Sequence, residues 1–295
     1  MAPKDYNIRL LLRKNSKEIF NKNTLQKIQV LYGDYNDCSS IRKALDGIHT
    51  VINLVPTISF EEKTKGYSGC LKKAQKADTD FLEECKKANI KKIIYSSSGG
   101  AIYGNIQYNS APFKEESPVN PISNYGVSKL FFEQSLEILK QRSGINYTIL
   151  RISNPYGPGQ SPRKNIGVIS KFIWSYINRI EVDVYGSLSS YRDYIYISDL
   201  LSAIECVILN GHDESHVFNI GSGQKTSLDD LINYINRLSS QKLLVRKVKK
   251  RQNDVNSNYL DIDRAKNKLN WSPQVSLQNG IIKTYENFIS KTENK

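Results

Sequence analysis

A tyrosine and a lysine four residues apart, Tyr125 and Lys129, form the pattern with the clearest chemistry in this sequence. On a helix, residues at this spacing lie on the same face. A free phenol has a pKa of about 10, and a neighbouring ammonium group stabilises the phenolate. We therefore expect a lowered pKa for Tyr125, which would let this residue accept a proton from a hydroxyl group near neutral pH.

Hydroxyl side chains precede this pair, at the end of an apolar strand. The strand is predicted at 92–95 and runs into Ser96-Ser97-Ser98-Gly99-Gly100-Ala101-Ile102-Tyr103-Gly104. Ligands of open α/β sheets bind at the carboxyl ends of the strands. The two segments together predict a site made of a phenol, an ammonium group and serine hydroxyls.

The elements that must position these groups alternate along the chain, which predicts a parallel sheet covered by helices. Strands are predicted at 7–12, 28–31, 50–55, 92–95, 146–152, 182–185 and 217–220. Helices are predicted at 39–46 with a serine cap, 69–88, 125–141, 168–178 and 199–209. The sequence changes character after Pro155. We expect a dinucleotide-binding lobe over 1–155 and a smaller substrate lobe over 156–295, with parts near 191–210 returning to the first lobe.

Composition excludes several classes of protein. The chain has 295 residues, 39% of them hydrophobic and 24% charged, which is typical of a globular protein. We expect no signal peptide, and no apolar run reaches the ~18 residues that a membrane span needs, so we also expect no membrane partner. Four cysteines without paired spacing fit a reducing cytoplasm. His212 and His216 lie four apart without a third ligand, so we expect no metal.

The formal net charge of +13 raises the question of nucleic-acid binding. The lysines are mostly dispersed, and the densest basic run is Arg246-Lys247-Val248-Lys249-Lys250-Arg251. Dispersed charge favours a solvated surface or attraction for anionic phosphate esters. We therefore expect no nucleic-acid partner.

Several further segments, together with the two described above, resemble the extended short-chain dehydrogenase/reductase family, the NAD-dependent nucleotide-sugar epimerases and dehydratases. Gly33-Asp34 resembles the segment near the adenine. Val51-Ile52-Asn53-Leu54-Val55-Pro56 resembles the strand beside the nicotinamide, although the family usually has two alanines at 55–56. The similarity continues in order through Arg151–Gly159, Tyr191–Asp199, Phe218–Gly223, Arg251–Val255 and Leu269–Pro273.

The resemblance implies a Rossmann-like fold, a nucleotide-diphospho-sugar substrate and NAD as cofactor. Arg13 stands where NAD-preferring relatives often carry an acid, which is also compatible with NADP. The implied catalytic residues are Tyr125, Lys129 and Ser98, with Ser97 in reserve. The implied cofactor-binding residues are Asp34, Leu54, Ser96, Tyr125 and Lys129. The implied substrate-binding residues are Asn154, Arg192, Arg251, Asp254 and Asn258.

The residues after the serines bear on the type of reaction. Dehydratase relatives carry an Asp-Glu pair there and sugar-acid decarboxylases a glutamate, whereas this chain has Gly99-Gly100-Ala101. The resemblance therefore favours a UDP-hexose 4-epimerase. Asn258 matches the family's gate beside the sugar and is smaller than the tyrosine of some epimerases, so a bulky sugar would fit. The helices at 69–88 and 125–141 resemble the pair through which relatives form homodimers.

One expected feature has no counterpart in the sequence. The family begins with a strand, Gly-x-x-Gly-x-x-Gly and a helix, whereas the first glycine here is Gly33 and the resemblance begins at the second strand. We expect a sheet without one central strand, hence with an unpaired edge, and a purified chain that carries little or no nicotinamide cofactor. The alternatives are an epimerase completed by another segment, an inactive truncated relative that binds a nucleotide-sugar or a protein partner, a dehydratase or reductase, and a basic nucleic-acid-binding protein.

Overall fold

The computed structural model describes residues 6–13, 28–56, 58, 67–106, 111–161, 167–209, 214–249 and 255–293. The strands in these ranges are β1 (Arg9–Leu12), β2 (Gln29–Tyr32), β3 (Thr50–Asn53), β4 (Lys92–Ser98), β5 (Asn146–Ile152), β6 (Asn154–Tyr156), β7 (Val182–Tyr185), β8 (Tyr191–Arg192), β9 (Tyr194–Tyr196), β10 (His216–Ile220), β11 (Thr226–Ser227) and β12 (Val245–Val248). The helices are α1 (Cys38–Leu45), α2 (Tyr67–Lys87), α3 (Gly99–Ile102), α4 (Asn124–Ser143), α5 (Val168–Asn178), α6 (Ile197–Leu209), α7 (Leu228–Asn236), α8 (Asp263–Leu269) and α9 (Leu277–Glu293).

The centre of the fold is a parallel four-stranded sheet in the order β10-β5-β4-β3. Its two middle strands, β4 and β5, are buried on both faces along most of their length, as their apolar runs require. A second parallel pair is formed by β1 and β2. The predicted α/β class with a parallel sheet is confirmed.

The sheet is divided into two pieces. Within the described residues, β1 pairs only with β2, and β3 pairs only with β4. Ile52, in the edge strand β3, is 40% exposed, and Leu54, just beyond the end of β3, is 57% exposed. The unpaired edge that the sequence led us to expect is therefore present in this part of the chain.

Helices α1, α2 and α4 cover the sheet with their apolar faces. The apolar residues on the inner faces of α2 and α4 are buried: Leu71, Ala74, Phe81, Leu82, Cys85, Phe132, Leu136 and Leu139. All of them except Leu71 and Ala74 join Ile93 and Ile149 of the sheet in continuous apolar packing, and those two pack with Ile58 instead. Among the described helices, none is both long and apolar enough to cross a membrane.

Most predicted element boundaries lie within two or three residues of the observed ones, and two differences have a clear cause. Helix α1 is capped by Asp37, whose carboxylate accepts hydrogen bonds from Ser39 N and Ser40 N, so the predicted serine cap is wrong. Strand β4 continues through Ser98 instead of ending at Tyr95, because its backbone keeps pairing with β5.

The second half of the chain builds a separate core from α5, α7, α9 and β7. Helix α6 instead packs with the central sheet, since Leu200, Ala203 and Val207 belong to the same apolar cluster as Phe218 and Ile220 of β10. This is the region near 191–210 that the sequence analysis assigned to the first lobe. The lobe boundary at 155 and 156 stays a prediction.

Candidate active site

The candidate site lies at the carboxyl ends of β4 and β5, where α4 begins. Gly126 makes this approach possible, because a Cβ there would stand 2.7 Å from the backbone oxygen of Ala101 in α3 and 2.9 Å from Pro121 Cβ. The hydroxyl of Ser123 caps the helix by accepting a hydrogen bond from Gly126 N. The start of α4 is thus held directly against the segment that follows Ser98.

The structure distinguishes the two candidate serines. Ser98 shares a side-chain hydrogen bond with Tyr125. Ser97 donates its hydroxyl hydrogen to the carboxylate of Glu133 instead, and its side chain is buried. The structure therefore brings Ser98 together with Tyr125, whereas Ser97 faces the protein interior.

Lys129 lies beside the phenol, one helical turn further along α4. Its Nζ donates a hydrogen bond of 2.6 Å to the backbone oxygen of Ser96. The same atom lies 4.7 Å from the ring centroid of Tyr95 and 5.6 Å from that of Tyr125. Lys129 is only 4% exposed, and burial lowers its pKa to about 8, against the opposing charges of Asp78 and Glu133.

The sequence spacing predicts a lowered pKa for Tyr125, and this direction is wrong. Burial raises the pKa of the Tyr125 phenol, and the hydrogen bond with Ser98 opposes this shift only in part. Desolvation disfavours the phenolate, and here it outweighs the favourable electrostatics that the sequence pattern suggested. The phenol is consequently protonated at neutral pH and is placed to share a proton with Ser98.

The other candidate cofactor contacts follow strands at the same end of the sheet. Asp34, after β2, accepts hydrogen bonds from Asn36 N and Asn36 Nδ2, which lower the pKa of its carboxyl group and keep it ionised. Leu54 follows β3 and exposes an apolar surface. Ser96 contributes its backbone oxygen rather than its hydroxyl to Lys129.

Two asparagines among the candidate substrate contacts are held by backbone groups. Asn154 Nδ2 donates to the backbone oxygen of Asp193 at 2.8 Å, and its side chain lies against Gly100. Asn258 is 1% exposed, and its amide donates to the backbone oxygens of Gly99 and Gly104 at 3.0 and 3.3 Å. Asn258 therefore fastens the segment after Ser98, and its contact with a sugar stays a prediction.

Arg192 lies beside a cavity of about 380 Å³. The cavity is lined by residues between Gly186 and Tyr191 and by Asn256 and Ser257. The guanidinium group donates to the backbone oxygens of Tyr191 and Asn256, at its rim. Arg251 and Asp254, the other two candidate substrate contacts, lie outside the described residues, as does His212.

Two buried acids outside the set of candidate site residues help to organise the site. Asp193 is fully buried and accepts hydrogen bonds from the backbone of Ser222, Gly223 and Leu260, while burial raises the pKa of its carboxyl group. Glu133 binds Ser97. The spacing of four residues from Lys129 to Glu133 would have indicated a shared helix face.

Among the described residues, no three potential metal-ligating side chains cluster.

Comparison with known proteins gives a consistent result. The sequence profile of the NAD dependent epimerase/dehydratase family matches residues 2–221. The chain is 37% identical over 238 residues to the dTDP-4-dehydro-6-deoxyglucose reductase of Escherichia coli, which spans 80% of this chain and 73% of that protein. It is also 37% identical over 202 residues to a putative UDP-glucose 4-epimerase of Methanocaldococcus jannaschii, spanning 68% of this chain and 64% of that protein.

Solved structures agree with the observed fold. The UDP-glucose 4-epimerase of Thermotoga maritima, crystallised with UDP-glucose, superposes with a TM-score of 0.87 at 28% sequence identity. The superposition covers 98% of this chain and 92% of that one.

Proposed function

The chain belongs to the NAD dependent epimerase/dehydratase family, and from this premise we propose that it is a nucleotide-sugar 4-epimerase of the UDP-hexose type. The observation that carries this proposal is the hydrogen-bonded pair of Tyr125 and Ser98, backed by the buried Lys129. These groups can take a proton from a secondary hydroxyl group and give it back. Inversion of a carbinol centre through a ketone requires the protein to remove a proton from one oxygen and later to return it.

The roles of the side chains follow from their contacts. Tyr125 moves the proton at its phenol oxygen. Ser98 shares that proton through its hydroxyl and holds the substrate oxygen in reach. Lys129 provides the positive charge that stabilises the phenolate, and its bond to Ser96 fixes the distance between α4 and β4.

The groups at the carboxyl ends of the strands suit a nicotinamide dinucleotide. The ammonium group of Lys129 and the phenol of Tyr125 can bind the hydroxyls of a ribose. The ionised carboxylate of Asp34 can accept hydrogen bonds, and the exposed side chain of Leu54 can pack against an aromatic ring. NAD, when bound, supplies the acceptor and donor of a hydride. NADP is compatible with Arg13 but has no additional support.

The choice of epimerisation over dehydration depends on the segment after Ser98. Dehydration needs a second acid and base for loss of water, and α3 consists of Gly99, Gly100, Ala101 and Ile102, with no carboxylate. The reductase of Escherichia coli and the putative epimerase of Methanocaldococcus jannaschii are equally identical to the chain. The composition of α3, rather than sequence identity, is what supports epimerisation over dehydration.

The cavity beside Arg192 is the proposed site of the nucleotide end of the substrate. Its serine hydroxyls and backbone groups can bind a base or ribose, and the guanidinium group at its rim suits a diphosphate. Arg251 and Asp254 remain proposed contacts from the adjoining segment.

We also infer a homodimer formed through α2 and α4. These two helices pack against each other, and α4 exposes Ile138 at 49%. An exposed apolar side chain on a long helix suits the centre of a helix–helix interface between two copies.

The direct test of the proposal is interconversion of UDP-glucose and UDP-galactose, or of their N-acetylated forms, with NAD supplied. We expect turnover by the protein and a loss of at least 1,000-fold in Y125F. Y234F, a tyrosine variant on α7 in the other core, should retain activity. Equal activity of Y125F and the unmodified protein would refute the assignment of the base.

A further inference from the structure

Three consecutive serines at the end of β4 contact three residues that share one face of α4. The backbone oxygen of Ser96 binds Lys129, the hydroxyl of Ser97 binds Glu133, and the hydroxyl of Ser98 binds Tyr125. The helix partners are spaced four residues apart, so they form a single row. Two of the three contacts belong to the proposed catalytic groups, and the third does not.

The stretch from Ser96 to Ser98 is supported by the sheet on one side only. Strand β3 ends at Asn53, which pairs with Tyr95, so no residue of β3 lies opposite the serines. Strand β5 pairs with all three, and Ser97 stands opposite Arg151. In the described part of the chain, the end of β4 from Ser96 to Ser98 therefore pairs with β5 alone, and the proposed chemistry takes place at this end.

Glu133 contacts both strands at this end of β4, through Ser97 of β4 and Arg151 of β5. Its carboxylate accepts a hydrogen bond from Ser97, and it forms an ion pair with Arg151 at 2.7 Å. Arg151 also donates to Tyr103 Oη at 2.9 Å and to the backbone oxygen of Glu115 at 2.8 Å. Glu133 and Arg151 are almost completely buried. These bonds hold the carboxylate in one orientation and make it a fixed anchor.

We propose that Glu133 is a positioning residue, which fastens the end of β4 to α4 through Ser97 and thereby sets the contacts of Ser98 with Tyr125 and of Ser96 with Lys129. This inference rests on the proposed function, since it takes Tyr125 as the base. Glu133 acts on the position of the reacting groups through its hydrogen bond with Ser97, and its negative charge also opposes the lowering of the Lys129 pKa. The structure thus gives the middle serine a different role from its two neighbours.

The test uses the full chain with 13Cζ-labelled tyrosine. The NMR resonance of Tyr125, assigned by its absence in Y125F, reports hydrogen bonding of the phenol at pH 7.5. We expect S98A to move this resonance, and S97A and E133Q to move it in the same direction. The double variant S97A/S98A should move it no further than S98A alone, because Ser97 acts through Ser98.

Matched variants keep the test decisive. E137Q changes the same residue type one turn further along α4, where Glu137 binds Tyr147 and Gln141, and it should leave the resonance unchanged. E133Q leaves the buried Arg151 without its ion-pair partner and can prevent folding. S97A keeps that ion pair intact and decides the question if E133Q does not fold.

The outcomes separate this inference from the proposed function. We expect S97A to lower turnover about tenfold with little change in KM, because small misplacements of reacting groups are costly. A Tyr125 resonance that moves in S98A but not in S97A would overturn the positioning role, even in an active enzyme. A resonance that moves as expected in a protein without turnover would support the positioning role and overturn the proposed function.

Discussion

At the scale of single residues, burial dominates the electrostatics of the proposed site. It raises the pKa of Tyr125 and lowers that of Lys129 to about 8, so the two pKa values lie further apart than those of free tyrosine and lysine side chains. The sequence spacing predicted that these residues share a helix face, and this is observed. It could not predict the sign of the Tyr125 shift, because burial arises from segments distant in sequence.

The pKa of Lys129 predicts how its contribution to stability depends on pH. The unfolded residue keeps its proton up to about pH 10.5, whereas the folded one loses it near pH 8. Between these values the unfolded state binds more protons, so the stability contributed by Lys129 rises with pH. We expect the free energy of unfolding, relative to K129M, to increase by about 3 kcal/mol from pH 7 to pH 11.

Urea unfolding at several pH values measures this dependence. K72M, which removes an exposed lysine from α2, controls for the loss of one positive charge. A difference between the unmodified protein and K129M that stays constant with pH would contradict the lowered pKa.

At the scale of elements, apolar patterns predicted the central strands and helices, and polar contacts adjusted their ends. The apolar run of β4 stops at Tyr95, but pairing with β5 and the bond from Ser97 to Glu133 extend the strand through three serines. The cap of α1 was misplaced because Asp37 lies one residue before the helix, and its carboxylate outcompetes the serine hydroxyl. Neither contact leaves a periodic signal, and the bond from Ser97 to Glu133 also depends on a neighbouring element.

The close approach of α4 to α3 predicts a selective effect of G126A. A Cβ at Gly126 meets the backbone oxygen of Ala101, which cannot move away as a flexible side chain could. The helix start must therefore shift and separate Tyr125 from Ser98. We expect turnover to fall at least tenfold, measured by steady-state kinetics, although alanine favours a helix more than glycine does.

G69A provides the matched comparison. Gly69 lies in α2 with open space where its Cβ would be. We expect G69A to be stabilised by about 0.5–1 kcal/mol in urea unfolding, with activity unchanged. Unchanged activity of G126A would show that the close approach does not set the geometry of the site.

At the scale of the whole molecule, the parallel sheet, its covering helices and the family could be predicted from the sequence. The order of the motifs along the chain carried that prediction. The cavity beside Arg192 could not be predicted, since it is formed by segments separated by more than sixty residues. The expected break in the sheet is observed between the described strands β1 and β3, and the expected low nicotinamide content of the purified chain stays a prediction.

The inferred dimer predicts a mass of two chains in sedimentation velocity. I138R places a charge on the exposed face of α4 and should give a monomer, because an unpaired buried charge opposes association. L201R makes the same change at a similarly exposed leucine of α6 and should remain dimeric. A monomeric unmodified protein, or a dimeric I138R, would contradict the inferred interface.

The proposed reaction inverts a sugar carbinol centre and eliminates no water. Incubation of the protein and NAD with UDP-glucose in D2O, followed by 1H NMR, distinguishes these two outcomes in a single experiment. We predict UDP-galactose without deuterium on any carbon atom, because Tyr125 and Ser98 exchange protons only at oxygen. A 4-keto-6-deoxy sugar carrying deuterium at C5, or no product at all, would contradict it.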